Sequence, residues 1–98
     1  MITRNGDKLQ VAGPLTLHTV KALYDRGLQA NGSKNLVVDL SQVEAVDSSG
    51  VSLLLSWLRE AQRSDINVCF TNIPDNLMSL ARLYGVADVL PVCGGSAA

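Results

Sequence analysis

Two short stretches, one soon after the other, restrict the fold more than anything else in the chain. The first, Leu36-Val37-Val38-Asp39-Leu40, is an apolar run interrupted only by Asp39. Such a run reads as a central strand covered on both faces. The second, Asp47-Ser48-Ser49-Gly50-Val51, opens a segment in which Val51, Leu54, Leu55, Leu58 and Ala61 recur at helical spacing. That spacing predicts a helix over residues 48–63. A buried strand, a connector at residues 41–46 and a long amphipathic helix commit the chain to an α/β layer with parallel pairs and right-handed crossovers.

The flanking segments continue the alternation. Residues 3–12 read as two extended pieces joined by a hairpin turn at Asn5-Gly6-Asp7, and Gly13-Pro14 ends the second piece. Leu17, Val20, Tyr24 and Leu28, with Leu23 beside them, predict an amphipathic helix over residues 16–29, followed by a loop at Asn31-Gly32-Ser33. Residues 67–72 read as a strand, with Val68 and Phe70 on one face and Cys69 on the other. Pro74 lies near the start of a last helix whose apolar stripe is Leu77, Leu80, Ala81 and Tyr84, and Gly85 stops it. Val89-Leu90 reads as a final extended piece that Pro91 keeps short. The expected order is β-β-α-β-α-β-α-β, in one domain over residues 1–92 with a frayed tail at 93–98.

Ninety-eight residues hold one modest core and no deep cleft. Net charge is −1, with acidic and basic residues interleaved, so the basic stripe of a nucleic-acid binder is missing. No segment is apolar for long enough to span a bilayer. Met1-Ile2-Thr3-Arg4-Asn5-Gly6 lacks the apolar core of a signal peptide. The expected location is the cytoplasm, at most peripheral to the inner membrane through a partner. Of the two cysteines, Cys69 reads as a buried structural thiol and Cys93 belongs to the tail. With His18 as the single histidine, a zinc site or a Cys-His dyad has little to build on. Gly-rich phosphate loops and a Gly-x-Ser-x-Gly elbow are absent. Neither catalytic residues nor a cofactor is expected.

In a sheet of this kind, ligands and partners meet the loops at the carboxyl ends of the strands. Asp47, Ser48 and Ser49 should lie there, at a helix N-terminus on the surface. Pattern alone favours a capping role, in which Asp or Ser accepts the first free N–H groups. A hydroxyl at that place can also carry phosphate, which adds roughly two negative charges and three acceptors. The positive end of the helix tolerates that charge, so the fold persists while the surface changes. Gly50 early in a helix costs up to about 1 kcal/mol relative to alanine. Close approach of a partner's backbone and close packing on the chain's own strand both account for it. Ser48, Ser52, Ser56 and Arg59 form a polar stripe, with Leu53 and Trp57 on its flank. Trp57, the single tryptophan, either completes the core or anchors a partner. Asp39 and Asp47 lack the burial-tuned proton donor of a paired-carboxylate site, and Asp39 is expected to bond nearby loop N–H groups.

Asp47-Ser48-Ser49-Gly50-Val51, set after a buried strand and before a Leu-rich helix, resembles the STAS family of anti-sigma-factor antagonists and sulfate-transporter-like domains. Leu36-Val37-Val38-Asp39-Leu40-Ser41 is similar to its central strand, and Gly13-Pro14-Leu15 sits where the family has a Gly-Glu-Leu-like turn. The resemblance covers nearly the whole chain. It implies a single STAS-like α/β domain, with a small mixed β-sheet and helices mainly on one side. In antagonist members the serine directly after the aspartate is phosphorylated by a partner kinase that is also the anti-sigma factor. By position that residue is Ser48, and only the unmodified form would bind. The ending Leu80-Ala81-Arg82-Leu83-Tyr84-Gly85-Val86-Ala87-Asp88-Val89-Leu90-Pro91 is similar to a narrower branch, the small STAS subunits of bacterial ABC systems that move phospholipids to maintain outer-membrane lipid asymmetry. There the subunit docks on the cytoplasmic ATPase, and a threonine stands where this chain has Ser48. Ser49 departs from that branch's usual glycine and matches the antagonist motif. The resemblance implies non-catalytic docking to an ABC transporter ATPase through Asp47, Ser48, Ser49, Gly50, Ser52 and Trp57. The alternative is a phospho-switched antagonist of an anti-sigma factor with serine-kinase activity.

Overall fold

The computed structural model describes residues 2–28, 32 and 34–93. A hairpin starts the chain. β1 (Ile2–Asn5) and β2 (Lys8–Leu15) pair antiparallel. The turn between them uses Gly6 at φ +63°, a region that glycine enters without steric penalty. Next come α1 (Leu17–Arg26), β3 (Asn35–Val46), α2 (Ser48–Arg63), β4 (Asn67–Thr71), α3 (Asp75–Leu83) and a 3-10 turn (Ala87–Val89). Strand order in the sheet is β1-β2-β3-β4. β2, β3 and β4 are parallel and β1 is antiparallel, which makes the expected mixed sheet.

Burial alternates along β4, with Val68 and Phe70 inside and Cys69 and Thr71 half-buried. That period of two is what a sheet with helices on one face produces. Leu9, Val11, Leu36, Val38, Leu40 and Phe70 of the strands pack with Val20, Leu23, Leu53, Leu54, Trp57 and Leu77 of the helices in one core.

Several local expectations change. Residues 41–46 are the second half of β3 rather than a connector, with Gln42, Val43 and Val46 opposite Ala12, Gly13 and Leu15. The register shifts between Gln10 and Ala12 and again between Gly13 and Leu15. This irregularity lets β2 run on past Gly13-Pro14, with Gly13 at φ +89° and the imino residue in a stretch where the ladder is already broken. α1 stops at Arg26 because Gly27 adopts φ +71°. Leu28 therefore leaves the helix, the core stripe becomes Val20 and Leu23, and Leu17 and Tyr24 face outward. α3 buries Leu77 and Ala81, while Tyr84, past its end, is exposed.

Val89 belongs to the 3-10 turn, and the extended piece comes later, where Val92 bridges Phe70 in parallel. The Phe70 N–H donates to the Pro91 carbonyl and the Cys93 N–H to the Phe70 carbonyl, both at 2.8 Å. Cys69 and Cys93 form a disulfide, so the expected free thiol at Cys69 is absent and Cys93 is fastened rather than frayed. Parallel contacts between segments this far apart leave no local mark in a sequence. Asn31 and Ser33 of the expected loop, and the tail beyond Cys93, lie outside the described residues.

Asp39 lies within β3, on the sheet face opposite Val38 and Leu40, and is only 3% exposed. It accepts from the Ser41 N–H at 2.9 Å and the Asn72 amide at 3.2 Å, and pairs with the Lys8 ammonium at 3.3 Å. Burial alone would raise its pKa. The Ser41 N–H, the Asn72 amide, the Ser41 hydroxyl and Lys8 together outweigh that and hold it at about 2, against an ordinary 3.8. A folded pKa below the unfolded one contributes stability that is complete above the unfolded value and is lost as pH falls through the folded one. The contribution at neutral pH is on the order of 2 kcal/mol. Urea denaturation should find stability falling as pH drops from about 4 towards about 2. Asp39→Asn should cost about 2 kcal/mol at neutral pH and flatten that acid limb.

Candidate functional site

The site begins where two strands end together. Leu15 of β2 lies opposite Val46 of β3, and the next residue, Asp47, donates its N–H to the Leu15 carbonyl at 3.2 Å. Asp47 has extended backbone, φ −132°, and caps α2 by accepting the Ser49 N–H on Oδ1 at 2.8 Å. Its other oxygen, Oδ2, accepts the N–H of Leu17, the first residue of α1, at 3.1 Å. One carboxylate thus sits at the positive ends of two helices. The Leu17 N–H is the strongest influence lowering its pKa. Burial opposes it, and the Ser49 N–H, the Ser49 hydroxyl and the charge of His18 add to it, so the carboxyl stays below its ordinary value.

With Asp47 serving as the cap, Ser48 is left exposed on the first turn of α2. Ser52 and Ser56 follow on the same ridge, one and two turns on. Grooves run beside the ridge. One, towards α1, is lined by Leu17, Val20, Lys21, Tyr24, Ser49 and Ser52. A second, towards α3, is lined by Ser48, Val51, Ser52, Leu55, Tyr84 and Val86. A third lies further along α2, between Tyr24 and Arg59. Ser52 borders all three. Leu17 is 68% exposed and Tyr84 53%, so the hydroxyl ridge has large apolar side chains on both flanks.

The expected site residues divide. Asp47, Ser48, Ser49 and Ser52 come together at this surface, whereas Gly50 and Trp57 belong to the interior. A Cβ on Gly50 would lie 3.1 Å from the Leu15 carbonyl oxygen and 3.2 Å from the Leu15 Cβ. The close approach that requires glycine is therefore to the chain's own β2. Trp57 is 1% exposed. The buried face of α2 includes Leu53 and Trp57, and Leu55 and Leu58 are only half-buried. The core stripe has rotated towards the Leu53 and Trp57 flank, and of the two roles open to Trp57 it takes the core one. Leu17, Tyr24 and Tyr84 are what the sequence reading placed in the core and the fold places at the site. Gly27 was the signal that α1 ends before Leu28, which stays in the core from outside the helix.

Among the described residues, no helix is long and apolar enough to cross a membrane, and no group of three or more His, Cys, Asp or Glu is placed to hold a metal ion. The family described as "Mlab, STAS domain" matches residues 1–91. The chain belongs to the STAS family. This STAS domain is 33% identical over 90 residues to the intermembrane phospholipid transport system binding protein MlaB of Escherichia coli (strain K12), covering 90% of this chain and 91% of that one. It is 24% identical over 91 residues to the anti-sigma-B factor antagonist of Staphylococcus aureus (strain NCTC 8325 / PS 47), covering 91% and 84% of the two chains. Its fold is that of the anti-sigma factor antagonist SpoIIAA in its unphosphorylated form, with a TM-score of 0.71 at 16% identity over 97% of this chain and 88% of the other. A sulfate transporter family protein from Wolinella succinogenes has the same fold, with a TM-score of 0.64 at 15% identity over 86% of this chain and 70% of that one.

The indole N–H of Trp57 is buried without a hydrogen-bond partner among the described residues. Removing it therefore breaks no bond and relieves an unsatisfied donor. Trp57→Phe leaves only a small cavity and should cost less than Trp57→Ala, for which about 3–5 kcal/mol is expected. Chemical denaturation followed by circular dichroism measures both.

Proposed function

We propose that this STAS domain is a non-catalytic cytoplasmic subunit that docks on the ATPase of an ABC transporter for phospholipid trafficking and supports outer-membrane lipid asymmetry. The observation that carries this reading is the exposed hydroxyl ridge of α2, flanked by Leu17, Tyr24 and Tyr84, in a chain alike to an MlaB along nearly all its length. Exposed tyrosines beside small hydroxyl residues suit protein recognition, because an aromatic ring contributes large contact area with few rotamers to freeze. Asp47, Ser48, Ser49 and Ser52 form the centre of the docking surface. Gly50 and Trp57 act behind it as packing. Docking favours one arrangement of the ATPase only as far as its affinities for the arrangements differ.

A second reading is favoured by one feature, the Asp47-Ser48-Ser49 sequence together with the likeness to anti-sigma factor antagonists. In that reading Ser48 is phosphorylated by a partner kinase. Asp47 already takes a first-turn N–H of both helices, so a phosphate on Ser48 projects outward, into the surface a partner covers.

Ser48→Glu and Ser48→Arg should leave thermal unfolding unchanged and abolish co-purification with the transporter ATPase. Tyr24→Ala and Tyr84→Ala should each weaken binding by about tenfold, read by titration calorimetry. Wild-type affinity in both Ser48 variants would overturn the placement. Stoichiometric phosphate on Ser48 after incubation with a candidate serine kinase and ATP, without ATPase binding, would select the antagonist reading.

A further inference from the structure

The segment that walls one side of the docking surface is fastened by a bond that thiols can open. We propose that the Cys69–Cys93 disulfide is a thiol-exchange switch, opened by a dithiol reductant, and that its reduction loosens the α3 side of the docking surface. The second half rests on the docking reading above.

Three observations carry it. The disulfide links residues 24 apart in sequence, and the loop it closes contains α3 and the 3-10 turn, hence Tyr84 and Val86, which line the groove beside Ser48. Among the described residues, and apart from the disulfide, residues 91–93 are held to β4 by the Phe70–Val92 bridge and its two backbone hydrogen bonds. Val92 is 39% exposed and Pro91 half-buried, so the strap is only partly covered, and Leu90 is the last fully buried residue before it. Finally, Cys69 and Cys93 are both half-buried, and Cys69 lies on the sheet face away from the core side chains Val68 and Phe70, so a thiolate can reach the bond. The chain has no third cysteine, so no other thiol of the same chain competes for the pair.

The step balances as an exchange. A thiolate of the reductant attacks one sulfur of the Cys69–Cys93 bond, which breaks, and the other cysteine leaves as a thiolate. The reductant's second thiolate attacks the resulting mixed disulfide and releases the first cysteine. Two electrons pass to the protein, the reductant's two protons end on Cys69 and Cys93, and the reductant becomes a disulfide. The freed strap leaves β4, and the loop closure that restrained α3 and the 3-10 turn in the unfolded and partly opened ensembles is gone.

The test compares oxidised protein, protein reduced with dithiothreitol, and the Cys69→Ser/Cys93→Ser double variant. Alkylation and intact mass count the thiols, hydrogen exchange reads the strap and wall, and titration with the transporter ATPase reads docking. Expected are two alkyl groups after reduction, faster exchange across residues 84–93, and ATPase affinity lower by about tenfold, with the double variant matching the reduced form. A disulfide that never forms under mild oxidant, or that resists the dithiol in the folded protein, overturns the proposal. So does identical exchange and affinity in all forms. If no form binds the ATPase, the docking reading falls, and exchange across residues 84–93 alone decides the switch.

Discussion

The Asp47 carboxylate accepts first-turn N–H groups of two different helices, Leu17 of α1 and Ser49 of α2. This end of the molecule is organised by that pair of bonds. Helix N-termini carry partial positive charge and unpaired donors. Brought together without an anion, two of them would repel each other and leave donors unsatisfied. Asp47 supplies the anion from within the chain, and its backbone N–H ties the arrangement to the end of β2. Because the aspartate serves as the cap, Ser48 is released from structural duty and stands exposed. The division of labour between adjacent residues makes a modifiable or contact-forming hydroxyl compatible with a stable helix start.

Much of this was legible in the sequence, and the failures have specific physical origins. The alternation of strands and helices, the central strand at Leu36 to Leu40, the helix opening at Ser48 and the STAS resemblance all follow from local patterns. The extension of β3 through Val46 was not legible, because its second half pairs with β2 across a broken register, and polar residues such as Ser41 and Gln42 read as loop. The faces of α1 and α2 were misassigned by about one position each. Apolar stripes drawn from spacing alone cannot choose between Val20-Leu23 and Leu17-Tyr24, or between Trp57 and Leu58. What decides is where the neighbouring elements lie. Gly50 illustrates the same limit, since its requirement comes from Leu15, a residue far away in sequence.

The misassignment matters for function. A reading that buries Leu17, Tyr24 and Tyr84 leaves a polar helix N-terminus as the whole site. With those residues on the surface, the site becomes amphipathic, with hydroxyls along a ridge and large apolar groups beside it. That composition is typical of surfaces that proteins recognise.

A last feature is the second tie between the two helices. Glu60 of α2 accepts the N–H of Leu28, just past the end of α1, with both carboxylate oxygens at 3.2 and 3.0 Å. Asp47 joins the helices at one end and Glu60 at the other, so α1 and α2 lie side by side like rails with a sleeper at each end. The plate is pre-set, so covering it would require no ordering of its shape and would lose little entropy there. Information would pass through such a plate by its being covered or vacant, since rails fixed at both ends have no hinge to bend.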